Sequence, residues 1–543
     1  MGAPGAPLRL GAVTETDPRV LLLVFVVALG VTAIARRFAI SAALLLVVVG
    51  LGISFVPGLP SVPLEPDLVL FLVLPPLLYS AALESSALRL RENLKRISQL
   101  AVGLVVFTTA VVGLAAWLLV PELPLASALV LGAVVAPPDA VAAASIGRRL
   151  GLQRRIMTIL EGESLLNDAT ALTLFRVLLA AALATTTVST GTTVLEGLGE
   201  FALAAVGGVA IGAAAGWLLH WVRMRLHDGV LESSVGLLVP FVIYLLAEEL
   251  HTSGVLAVVV AGLYLGHKAT EAGYATRLQD QAVWKALDTL LEALVFALIG
   301  LQLRIVVDGL GGDAGRILLV SLALLVVTIL ARFVWVFPTI YLPRLLPPVR
   351  RRRPALPWQG PFVISWAGMR GVVTLAAAFA IPAADATGPG MPGRNVVLFA
   401  AFVITVGTLL LQGLTLPALI RRLHVRDKGA QRDVLDEAAA KQAAAEAAMS
   451  RLDELSDDST PEHVTEQLRT WAQHRSNGVW ERLGRPDEEI GEAPSVAFSR
   501  LRRAMLGAER ETFVRFRDLG RIDEGILRDM LRELDYEEAM LDR

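Results

Sequence analysis

The chain contains no cysteine. Disulfides, thiolate metal sites and cysteine nucleophiles are therefore excluded. Histidine is scarce, with seven residues in 543. His220, His227, His251 and His267 fall near the ends of apolar runs. Residues so placed are more often interfacial than pH-sensing, and no role is assigned to them. Ser164 is followed by Leu165 and lacks a Gly-x-Ser-x-Gly elbow. With no Ser–His pair suggested, an intramembrane hydrolase is disfavoured. Nothing resembles a repeated selectivity filter, which argues against an ion channel. The N-terminus shows no signal-peptide pattern, so the first apolar run is read as a retained helix. A net charge of −2 gives no indication of a nucleic-acid partner.

Hydrophobic residues make up 55% of the chain, and the mean hydropathy is +0.61. Both are far above a soluble protein of this length. Runs of about 18–25 apolar residues recur, each long enough to cross a hydrocarbon core of roughly 30 Å. Thirteen candidate spans lie at about 18–35, 39–57, 66–84, 98–120, 124–146, 157–183, 197–222, 231–250, 253–266, 284–303, 316–342, 359–383 and 395–420. Span 9 is short and is read as either broken or re-entrant. Loops after odd-numbered spans carry 20 basic residues, against 3 after even-numbered ones. Basic loops stay in the cytoplasm. The expectation is a multi-pass protein of the plasma membrane with its N-terminus outside and its C-terminus inside.

Residues 1–17 are then a short external segment and 18–423 the membrane domain. Residues 424–543 form a cytosolic helical tail, beginning with the Ala-, Glu- and Lys-rich stretch "LDEAAAKQAAAEAAMSRLDEL". "DDSTP" at 457–461 reads as a turn and N-cap, and 461–484 and 493–541 read as further helix. No nucleotide or metal motif marks the tail, and its ligand is unknown.

Spans 5 and 12 are interrupted. Span 5 carries "GAVVAPPDAVAAAS", in which Pro137 and Pro138 remove helix hydrogen bonds beside Asp139. Span 12 carries "SWAGMRGVVTLAAAF", in which Gly368 and Gly371 bracket Arg370. Non-helical backbone at membrane depth is tolerated only where it is buried or lines a cavity. With span 7 set aside as a linker, spans 1–6 and 8–13 form two six-helix halves of opposite topology. The interrupted helix is fifth in each. The fold expected is all-α and polytopic, with two inverted repeats whose interrupted helices cross at a midplane site.

Span 6 concentrates polar groups in "ILEGESLLNDATALTLF". Glu163 and Asn167 are spaced i, i+4, as are Ser164 and Asp168, so the four form one patch. Buried carboxylates must be paired, protonated or bound to a cation. Arg332 and Arg370 lie deep in apolar spans and need permanent counter-charges. Arg332 is the favoured partner of Glu163, with Arg370 the alternative. Asp168 and Asp139 are left without an evident arginine. Such a group holds a proton or a hard cation, but not both comfortably. Oxygens of Asp168, Asp139, Ser164 and the freed backbone suit a small alkali ion.

"EGESLLNDATALTLF", "PPDAVA", "FLVLPPLLYSAALE" and "GMRGVVTLAAAFAIP" resemble the signature stretches of the monovalent cation–proton antiporter-1 family, over about residues 18–420. The resemblance implies a homodimer in a lipid bilayer and alternating access by an elevator-like core. It implies exchange of Na+, or Li+, for H+ with no cofactor, and it implies that the aspartate of the Asn167–Asp168 pair carries the ion or proton. Asn167 stands where charge-moving relatives have a second aspartate, so electroneutral exchange is implied. The family often has a hydroxyl residue before the break aspartate and proline after it. Here these positions are Pro138 and Ala140. Potassium/proton exchange is the nearest alternative activity.

Overall fold

The computed structural model describes residues 18–541 apart from 39, 57–65, 67, 184–189, 227, 311–313, 343–356, 384–389, 426–429, 457–460 and 484–493. The external segment 1–17, the basic run Arg350–Arg353 and most of the "DDSTP" turn lie outside the described residues. The chain divides into two compact units, Met1–Arg426 and Asp427–Arg543. Among the described residues both are helical throughout, with no strand.

In the first unit, helix occupies every one of the thirteen apolar windows. Among the described residues, eight stretches are long and apolar enough to cross a membrane by length and composition. They include α1 (Pro18–Arg37), α8 (Arg154–Leu183), α9 (Thr190–Leu226), α10 (Gly229–Glu249), α14 (Ala314–Tyr341) and α17 (Arg394–Leu423). Another joins α4 (Ala87–Ser98) to α5 (Val105–Leu119), and the last begins with α12 (Tyr274–Leu301) and ends in the short α13 (Leu303–Asp308). Windows 2, 3 and 9 hold the shorter α2 (Ala42–Ser54), α3 (Leu74–Glu84) and α11 (Gly254–His267). Window 9 is one unbroken helix of 14 residues rather than an interrupted one.

Window 4 differs at its start. The basic segment before it is helical from Ala87, where the Ser86 hydroxyl accepts from the Arg89 amide. It continues into α5 through π turns at Gln99–Leu104. Similar π turns at Leu68–Val73 precede Pro75 and Pro76, which have no N–H to donate back to the carbonyls of that preceding turn.

Small residues let these helices approach closely, as apolar solvent supplies no hydrophobic drive between them. Gly50 of α2 and Gly300 of α12 meet backbone to backbone: a Cβ on Gly50 would lie 2.9 Å from the Gly300 Cα. Gly208, Gly212 and Gly216 repeat every fourth residue along α9 and face Leu256, Ala257 and Ala261 of α11.

Windows 5 and 12 each hold two half-helices. The first pair is α6 (Leu125–Val135) and α7 (Ala140–Leu150); the second is α15 (Gln359–Trp366) and α16 (Val372–Phe379). The tail unit holds two helical hairpins. In one, α18 (Ala430–Leu455) packs on α19 (Glu462–Leu483); in the other, α20 (Pro494–Asp518) packs on α21 (Glu524–Leu541). The stretch read as continuous from 493 is thus split, because Gly520 turns with φ of 65° after α20. Arg510 of α20 ties to Asp535 and Glu538 of α21, both at 2.8 Å.

Candidate functional site

The two interruptions touch. The Asp139 amide donates to the Met369 carbonyl at 2.7 Å, joining the unwound stretch of window 5 to that of window 12. Each half-helix ends with carbonyls that have no intrahelical partner. Arginines meet them at both breaks. At the end of α6, Arg370 Nε donates to the Val135 carbonyl at 2.8 Å and Nη2 to that of Ala136 at 3.5 Å. At the end of α15, Arg332 Nε donates to the Ile364 carbonyl at 2.9 Å. A cation at a helix C-terminus also offsets the negative end of the dipole.

The N-terminal ends gather around Asp139. Its carboxylate caps α7 by accepting from the Val141 amide at 2.8 Å. It lies so close to Gly371, at the start of α16, that a Cβ there would overlap it. Gly368 is held by the same logic, since a Cβ would run into the Arg332 side chain. Both glycines flanking Arg370 are therefore required by close approach, not only by the break.

Helix α8 brings the span 6 patch to this crossing. Glu163 and Arg332 form a bidentate pair at 2.5 and 2.7 Å, each only 1% exposed. Arg370, the alternative partner, pairs with no carboxylate among the described residues. Besides the two α6 carbonyls, its guanidinium donates to the Gly368 carbonyl, and its backbone amide donates to Thr408 Oγ1 at 3.0 Å. The requirement for a counter-charge overlooked the carbonyls that a broken helix end exposes. Asn167 Nδ2 donates to the Pro138 carbonyl at 2.7 Å, tying α8 to the first break. Asn167 Oδ1 is buried without a partner among the described residues.

Asp168 is buried, and no lysine, arginine or histidine pairs with it among the described residues. It faces a cavity of about 220 Å³ together with Asp139, Ser164, Pro137, Gly371 and Thr374. Glu163 and Asn167 do not line this cavity. Two carboxylates without counter-ions on one cavity make it a place for positive charge.

Further acids border the same cavity. Asp288 and Glu292 of α12 line it, as do Glu84 and Glu161. Ser80 donates to Asp288 at 2.7 Å. Glu161 pairs with Arg148 at 3.1 Å, the two being 33% and 60% exposed, and such exposed pairs add little stability. Asp288 and Glu292 were not among the expected site residues. Their i, i+4 spacing within span 10 was the available signal.

A model of the family described as the transmembrane sodium/hydrogen exchanger matches residues 21–422. An uncharacterized Na+/H+ exchanger of Mycobacterium tuberculosis is 31% identical over 96% of this chain and 95% of its own length. A sodium, potassium, lithium and rubidium/H+ antiporter of Bacillus pumilus is 31% identical over 73% of this chain and 60% of its own. The solved sodium proton antiporter MjNhaP1 of Methanocaldococcus jannaschii superposes with a TM-score of 0.59 at 18% identity. It covers 75% of this chain and 98% of its own, a likeness of fold.

Proposed function

We propose that this chain, which belongs to the sodium/hydrogen exchanger family, exchanges one Na+ for one H+ at Asp168. Members of that family are secondary transporters and not enzymes. The observation that carries the reading is a division of labour across five residues of α8. Glu163 is neutralised by Arg332, whereas Asp168 faces the cavity without a cation of its own. Asp168 then holds either a proton or a metal ion. When Na+ enters and the proton leaves, the charge on the site is unchanged, so the cycle moves no net charge.

Asp139 and Ser164 supply further oxygens to the ion, and Asn167 holds α8 against the Pro137–Pro138 break. Li+ follows the same route as Na+. Alternating access is provided by two inverted six-helix halves, thirteen spans in all, working as a homodimer in the plasma membrane. The alternation of basic loops supports an external N-terminus and a cytoplasmic tail.

Purified protein in vesicles, with a pH-sensitive dye inside, tests the activity. Na+ or Li+ added outside should drive proton movement that reverses when the ion gradient reverses. The rate should not change when the membrane potential is clamped. The Bacillus pumilus relative's name includes potassium, so K+ is assayed separately. Proton movement driven by K+ but not Na+ would replace this reading with potassium/proton exchange. Cation flow uncoupled from protons would indicate a channel.

A further inference from the structure

The first interruption offers the ion no side-chain hydroxyl, because Pro137 and Pro138 precede Asp139. The Pro138 carbonyl is already engaged by Asn167. The second interruption does offer one. Thr374 lies in the first turn of α16, is 1% exposed and lines the cavity that holds Asp139, Ser164 and Asp168.

Its hydroxyl has no hydrogen-bond partner among the described residues. Buried hydroxyls are ordinarily bonded, and an exception needs a reason. Threonines inside these helices bond back to the carbonyl four residues earlier. Thr328 does so to Leu324 at 2.7 Å, Thr405 to Ala401 at 2.8 Å and Thr173 to Ala169 at 2.8 Å. Four residues before Thr374 stands Arg370, which lies in the unwound stretch ahead of α16. The helix break therefore removes the usual acceptor. Tyr79, Thr108, Ser127 and Ser233 also carry buried, unpartnered hydroxyls, but among these described groups only Thr374 borders the cavity.

We propose that the Thr374 hydroxyl oxygen is a ligand of the transported alkali ion, completing from α16 the oxygen set begun by Asp168, Asp139 and Ser164. A hydroxyl suits this task because it presents lone pairs to a hard cation and carries no charge. It leaves the exchange stoichiometry to the carboxylate. The proposal rests on the exchange activity proposed above and adds a residue to its cation site.

The test compares the parent with Thr374→Val, which keeps the shape and removes the oxygen, and Thr374→Ser, which keeps the oxygen. Initial Na+-driven proton movement is measured against Na+ concentration in vesicles at alkaline pH. Thr374→Val should raise the apparent KM for Na+ about five- to tenfold, the scale of one lost oxygen contact, with the maximal rate within about twofold. Thr374→Ser should restore the parent KM. A valine variant with the parent's KM overturns the proposal. So does a variant whose maximal rate falls at unchanged KM and is not rescued by serine, because that is a packing role. Should valine prevent folding, Thr374→Ala carries the same comparison. Absence of Na+-driven exchange in the parent would instead overturn the underlying reading.

Discussion

Asp168→Asn is expected to reduce Na+-driven proton movement to the level of protein-free vesicles, while the purified protein stays folded. Asparagine nearly matches aspartate in shape, so the packing of α8 is kept. It has no titratable proton at ordinary pH and no charge to balance Na+. The site would lose both of its exchangeable states in one substitution. Stability should not suffer, because no described cation depends on Asp168 for its charge. Removing a bare buried carboxylate relieves a desolvation penalty instead of creating one. The readout is dye fluorescence after Na+ addition, beside thermal unfolding of the same preparation. Substantial Na+-driven proton movement by the variant would reject Asp168 as the carrier.

Glu163→Gln, five residues earlier, should do the reverse and act chiefly on stability. Glu163 and Arg332 are each 1% exposed and joined by two hydrogen bonds. Breaking a buried pair by removing one partner costs about 3–5 kcal/mol, because the other charge stays in the low-dielectric interior. Glutamine keeps an oxygen for one hydrogen bond but not the charge. Arg332 also holds the end of α15 through the Ile364 carbonyl, so its displacement would loosen the second break. Thermal unfolding should therefore begin at a clearly lower temperature than for Asp168→Asn. A midpoint equal to the parent's would mean that the pair does not hold the fold.

The contrasting surroundings of these two carboxylates were partly readable from the chain. Hydropathy located helix in each window because span length and loop charge are set by the bilayer, which acts on every segment alike. The two breaks were readable because proline and glycine disturb a helix wherever they fall. Arg332 was favoured over Arg370 for Glu163, and the structure places Arg332 there.

Other features depended on three-dimensional crossing. Arg370 could not be matched from the sequence, as its partners are main-chain carbonyls that any residue carries. Asp288 and Glu292 share a helix face at i, i+4, but only the packing of α12 brings that face to the cavity. Thr374 is one threonine among many until the unwound stretch before it removes its acceptor. Gly371 read as a helix breaker, whereas its missing side chain is also what admits the Asp139 carboxylate.

The central claim is that one carboxylate holds either H+ or Na+. Initial exchange rates measured against Na+ concentration at several symmetric pH values test it most directly. Competition at Asp168 predicts that the apparent KM for Na+ rises as pH falls, while the rate at saturating Na+ is preserved. A loss of rate on the acid side that no Na+ concentration restores would contradict a single shared site.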